Sequence, residues 1–219
     1  MIEQDTLAFL GELAENNHKD WFEENRSRYK RARENFISFI DRLIPEIQQF
    51  DPEVTDQEAR NCIFRINRDV RFSKDKSPYK INLAAVIAKG GKKSGYASYY
   101  LHLKPGECMM GGGNYMPPSA DLKKIRHHIE MEGEVLRELI DDDSFKEYFG
   151  ELRGEKLKTA PKGYPKDHPD IDLLQHKGFY VMRSFSDEEV LDEELIDQTL
   201  ETFQAITPLN HFLNAALDG

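Results

Sequence analysis

The sequence predicts an α+β fold: one domain with a mainly antiparallel, meander-like sheet covered by helices. Three observations predict it. Apolar residues recur at helical spacing over the first fifty residues and again after residue 119. Between residues 60 and 113 the period changes to the alternation of strands, broken by short turn-forming stretches. The strand–helix–strand rhythm of a doubly wound parallel sheet is missing. At 219 residues the chain is long enough for one well-cored domain and just short of the length at which chains usually divide. We therefore expect a single domain over 1–219.

N-terminal helices are expected over 5–50. In the first, residues 5–16, Leu7, Leu10, Leu13 and Ala14 share a face. A longer one starts near Lys19, with Trp21, Phe22, Tyr29, Phe36, Ile40 and Leu43 at helical spacing, and Pro45 ends or kinks it. The meander spans 60–113. Cys62, Phe64 and Ile66 alternate with their neighbours, Ile81–Ala88 reads as a buried strand, and a Gly/Lys-rich hairpin loop at 90–95 leads to the strand Tyr96–Leu103. There Ser98, Tyr100 and His102 face one way and Tyr99, Leu101 and Leu103 the other. Cys108–Met110 runs into Gly111-Gly112-Gly113. Helices follow over 119–149, with Ser119 as N-cap and an interruption near Gly133. Residues 150–170 are loop-rich, 179–185 form a last strand, and helices close the chain over 187–217. Ser186 and Glu189 have capping-box spacing, and Pro208 is expected to restart the final helix.

Composition bounds the function. The 13 Phe and 9 Tyr supply core surface that disordered chains lack. The two cysteines, Cys62 and Cys108, make no disulfide framework and suggest reduced thiols. The acidic start lacks the basic, apolar character of a signal peptide, and no stretch has the length of a membrane span. A cytoplasmic protein without a membrane partner is the expectation. The formal charge of −10 argues against a general nucleic-acid binder without excluding one. Charge is unevenly distributed, however. Residues 60–93 hold ten Lys or Arg against two Asp, while residues 186–219 hold nine Asp or Glu and no Lys or Arg.

The densest part of that basic stretch carries Arg65, Arg68, Asp69, Arg71, Phe72, Asp75, Lys76 and Tyr79 in the pattern R-x-x-R-D-x-R-F-x-x-D/N-K-x-x-Y. This pattern resembles the signature of a widespread bacterial family built on a domain of unknown function. The likeness extends to the Trp21-Phe22 helix, the triple glycine and the stretch Leu152–Pro165. The resemblance implies a single-domain protein of about this length and brings neither an activity nor catalytic residues.

The chemistry must come from the residues. Arginine suits planar, bidentate contact with phosphate or carboxylate, lysine adds point charge, and a tyrosine adds a hydroxyl donor. Arg65, Arg68, Arg71, Lys76 and Tyr79 are therefore the candidate ligand-binding residues for a small phosphate- or carboxylate-bearing ligand. Asp69 would hold the arginines in place. Two readings compete: a nucleic-acid-binding module, and a structural or interaction protein in which the motif is an internal ion-pair network. His102, on the strand face with Ser98 and Tyr100, is the candidate general base, while catalytic residues are otherwise undefined. Gly111–Gly113 either admits a phosphate or, more simply, permits a close backbone approach. Adjacent His127 and His128 point apart on a helix, so no metal ligands are assigned. Cofactor and oligomeric state do not follow from the sequence.

Overall fold

A computed structural model describes all 219 residues. Its first half is α1 (Gln4–Glu15), α2 (Lys19–Glu24), α3 (Arg26–Phe50), α4 (Ala59–Cys62), β1 (Leu83–Ala88), β2 (Ser98–Leu103) and β3 (Cys108–Asn114). The second half is α5 (Ser119–Asp141), α6 (Asp143–Phe149), α7 (Ile171–Leu174), β4 (Phe179–Phe185), α8 (Asp187–Leu191) and α9 (Leu195–Asp218). The strands form one antiparallel sheet in the order β1-β2-β3-β4, as expected of a meander in an α+β fold. The apolar faces of α3 and α9 pack on one side of it, and a single cluster of 47 buried residues runs through that layer. Tyr99, Leu101 and Leu103 of β2 point into this core, so the period-2 register sends Ser98, Tyr100 and His102 to the opposite face. That opposite face has no helix over it.

Glycines in β3 set how closely the layers approach. A side chain at Gly112 would meet Ile206 of α9 at 2.6 Å, so the bare backbone lets α9 lie against the sheet. Gly113 has φ +103° and a Cβ there would lie 2.2 Å from the Phe179 carbonyl oxygen. The triple glycine thus serves close backbone approach inside a strand, not a phosphate loop.

Several elements differ from the sequence expectation. Residues 62–67 do not form a strand: Ala59–Cys62 make a helical turn, and pairing with β1 is limited to the bridge Ile63↔Ala85 and Phe64 N–H donating to Ala84 O at 2.9 Å. The sheet therefore begins at Leu83, not near residue 60. Pro45 and Pro208 lie inside continuous helices. Burial of Ile44 and Ile47, and of Leu209, Phe212 and Leu213, holds each helix together across its proline. The helix expected from Lys19 is divided at Asn25. α5 is kinked at Glu132, where the Asp170 carboxyl packs over Gly133. The capping box of Ser186 and Glu189 is formed, while the α5 cap falls on Pro118, one residue before Ser119.

Candidate functional site

Residues 67–79 form a projecting loop closed by the bridge Asn67↔Tyr79, with Arg68 N–H donating to Pro78 O at 2.9 Å. Inside the loop the cations find local partners. Arg68 donates to Asp75 Oδ2 at 2.5 Å and to the Ser77 carbonyl at 3.1 Å. Arg71 forks onto Asp69 at 2.9 and 2.6 Å, and Lys76 donates to the Val70 carbonyl at 3.0 Å. Bonds from the Ser77 hydroxyl and backbone N–H, and then Arg68, hold the Asp75 carboxyl down at about 2. The Arg71 guanidinium likewise depresses Asp69. Phe72 stands at the tip, 96% exposed.

The structure therefore does not gather the six motif residues into one grip. Arg68 and Arg71 are each neutralised by a carboxylate within seven residues, because the alternating Arg/Asp spacing closes tight loops. Tyr79 turns inward: the residue is 6% exposed and its ring stacks on Phe22 at 3.9 Å. Asn17 clamps its backbone, donating to Tyr79 O at 2.9 Å and accepting from Tyr79 N–H at 3.1 Å. Arg65 is exposed, makes no hydrogen bond, and lends its charge to the surroundings of Lys80. Arg68, Asp75, Ser77 and Asn17 do line a hollow of about 400 Å³, which shares Lys80 and Asn82 with a larger cleft beside it.

That larger cleft, of about 740 Å³, occupies the uncovered face of the sheet. Its floor is Ala84 and Val86 of β1, Ser98, Tyr100 and His102 of β2, Met109 of β3, and Tyr180 and Met182 of β4. The registers Val86↔Tyr100, Ala84↔His102, His102↔Met109 and Gly111↔Met182 put these side chains on one face. One wall is Phe64, Lys80 and Asn82, carried by the chain just before β1. The other is Tyr115, edge-on to Tyr180 at 4.9 Å, and Arg153, whose backbone exchanges bonds with Tyr180 at 2.8 and 3.2 Å. The volume falls in the range of small-molecule sites, ~300–1,000 Å³.

The cleft's electrostatics are one-sided. Lys80 Nζ lies 5.1 Å from the Phe64 ring centre, and Lys92 Nζ lies 5.7 Å from the same ring while donating to the Ile63 carbonyl at 2.7 Å. Burial, then the charges of Arg65 and Lys92, lower the affinity of Lys80 for its proton. At the floor, His102 Nδ1 lies 2.9 Å from the Tyr100 hydroxyl and 3.4 Å from Asn82 Nδ2. An amide nitrogen only donates, so Nδ1 accepts and the neutral ring carries its proton on Nε2. Burial, and then Lys104, keep this imidazole below its ordinary pKa, so it stays neutral at neutral pH. The free ring nitrogen is then a donor. In this tautomer His102 presents a donor, suited to polarising an oxygen.

Residues 5–212 match the family described as conserved hypothetical protein (DUF2461). The chain belongs to this family. The match covers the motif loop, the sheet and every cleft residue, and the family carries no assigned activity. No curated protein and no solved structure matches the chain.

In this DUF2461 chain, the sequence alone pointed to Ser98, Tyr100 and His102 and held Lys80 only as part of the basic stretch 60–93, while Asn82, Arg153, Tyr180 and Met182 were missed. Tyr180 and Met182 were legible as alternate positions of the strand 179–185. Arg153 sits in a loop whose pattern gives no signal. One further titratable cluster joins distant residues. Atoms of Asp51, Glu53 and His211 lie within 4.8 Å of one another. Each already has a protein partner: Asp51 accepts from the Tyr99 hydroxyl at 2.6 Å and meets His211 Nε2 at 3.1 Å, while Lys89 bonds Glu53 at 3.2 Å. The cluster is thus satisfied as a polar network within the fold. No helix is long and apolar enough to cross a membrane.

Proposed function

We propose that the protein binds a small organic anion with a flat, apolar portion in the sheet-face cleft, and that the motif loop borders this site rather than forming it. One observation carries the reading. The chain holds 40 Asp and Glu, yet none of the fifteen residues lining the cleft is acidic, while Lys80 and Arg153 are cationic. Field lines from uncompensated cations in a concave, low-dielectric cleft concentrate anions there. The aromatic rims of Phe64, Tyr115 and Tyr180 and the thioethers of Met109 and Met182 suit a planar body; Lys80, Arg153 and the adjacent Lys92 suit its phosphate or carboxylate. Arg65, exposed beside Lys80, extends the positive rim.

Isothermal titration with phenyl phosphate, nucleoside monophosphates and inorganic phosphate tests this. Aromatic phosphates should bind more tightly than phosphate alone, and rising salt should weaken them. Arg153→Glu should reduce affinity by about tenfold or more, whereas Arg71→Ala, whose charge Asp69 already meets, should leave it unchanged. Equal affinity for phosphate and phenyl phosphate, or full binding by Arg153→Glu, refutes the cleft as the site.

A further inference from the structure

One cleft side chain is equipped for more than binding. Lys80 Nζ meets neither carboxylate nor carbonyl; it rests over the Phe64 ring at 5.1 Å. Its neighbours Lys76 and Lys92 each donate to a backbone carbonyl instead. Lys80 and Asn82 stand two residues apart in the run leading into β1, and both line the cleft. Asn82 in turn meets His102 Nδ1 at 3.4 Å. Lys80 and His102 therefore line the same cavity, linked through Asn82, which stands two residues from the amine and meets the imidazole.

We propose that Lys80 is a nucleophilic lysine that forms an imine with an aldehyde or ketone borne by the anionic ligand, while His102 polarises the carbonyl oxygen. The proposal rests on the cleft being the anion site and names the reactive class of that ligand. The neutral amine's lone pair attacks the carbonyl carbon, and the C=O π pair moves onto oxygen, where the Nε2–H donates to it. A proton passes from the nitrogen to that oxygen through solvent and gives a carbinolamine. Departure of the hydroxyl as water then leaves the C=N bond. One amine and one carbonyl yield one imine and one water, with nothing oxidised or reduced. An amine half-buried among cations suits this step, because an ammonium has no lone pair to give. Arg65 from the segment before the loop and Lys92 from the hairpin are the charges that act on it; Arg153 is the cleft's other cation, and Arg68 and Asp75, bonded to each other, line the hollow that shares Lys80.

The test uses pyridoxal 5′-phosphate as a reagent, since it combines a planar ring, a phosphate and an aldehyde. Borohydride reduction followed by peptide mapping should place the label on Lys80 about tenfold faster than on the exposed Lys74 and Lys93 at neutral pH. The rate should rise with pH to a half-point below the ordinary lysine value of about 10.4. Lys80→Arg, which keeps the charge and should keep the melting temperature, should lose the label. His102→Gln should slow labelling more than it weakens binding of pyridoxine 5′-phosphate, the alcohol that has no carbonyl. Label spread evenly over surface lysines, or Lys80 reacting with an ordinary half-point, overturns the proposal. If the alcohol binds while Lys80 stays unlabelled, the imine chemistry fails and the anion cleft stands. If neither binds, both fail.

Discussion

Substitution of Tyr79 separates a core residue from a ligand donor. The sequence pattern presents its hydroxyl as part of an anion grip, whereas the structure stacks its ring on Phe22 at 3.9 Å with 6% of the residue exposed. The hydroxyl makes no hydrogen bond; Glu23 and Arg26 are the charges it feels. Tyr79→Phe should therefore change stability by less than about 0.5 kcal/mol. Tyr79→Ala removes a buried ring and leaves a cavity against Phe22, a loss of about 3–5 kcal/mol by analogy with other buried aromatics. For a chain of this size each kcal/mol moves the melting temperature by about 2–4 °C, so the alanine variant should melt about 6–20 °C lower. Calorimetry and urea denaturation measure the stability, and titration with phenyl phosphate measures binding in the same samples. Tyr79→Phe should bind as wild type does. Loss of binding in Tyr79→Phe at an unchanged melting temperature would show the hydroxyl to be a ligand contact and refute the assignment of Tyr79 to the core.

Other perturbations have equally defined outcomes. Asn17→Ala strips both partners from the Tyr79 backbone and should destabilise by about 1–3 kcal/mol, read by urea denaturation, with faster proteolysis within 67–79. Gly113→Ala adds a Cβ 2.2 Å from the Phe179 carbonyl at a φ of +103°, so it should separate β3 from β4 and cost more than about 2 kcal/mol; a melting curve like wild type refutes the close approach. Burial, and then Lys156, push the His176 imidazole down to about 4, below the ordinary value of about 6.5 of the unfolded chain. The unfolded state then binds more protons between those values, so stability should fall as pH drops from about 6.5 toward 4. Asp75, held at about 2, loses its contribution only as pH falls below the ordinary carboxylate range of about 3.9. A proton-resolved titration of His176 with a midpoint near 6.5 would refute this.

The fold was readable wherever one period ran long enough. The alternation of Ser98–Leu103 and of 179–185 fixes which side chains meet α9 and which are left on the bare face. Periodicity likewise led to helices over 5–16, 119–149 and 187–217, where the structure has α1, α5 with α6, and α8 with α9. It failed where local rules lost to tertiary burial. Pro45 and Pro208 did not end their helices, because apolar residues on both sides are sunk in the same core. Cys62, Phe64 and Ile66 alternate as a strand would, but their segment finds only one bridging partner at the edge of β1 and turns away into the loop.

The site was less legible, for a reason visible in two sets of cations. Arg68 and Arg71 look like surplus charge when the stretch is counted as a whole, yet each has its own aspartate a few residues away. Counting net charge over a segment cannot separate paired cations from free ones. The free ones that line the cleft, Lys80 and Arg153, lie 73 positions apart and give no pattern in the sequence. Their significance depends on what is missing around them. A cleft without a carboxylate, in a chain with 40 acidic residues, is a property of the folded surface alone. The acidic body strengthens the argument, because negative charge placed elsewhere leaves the cleft as the region where an anion meets least repulsion. A basic protein with the same cleft would offer anions many competing surfaces. The proposed site would stand out by its sign against the acidic body around it.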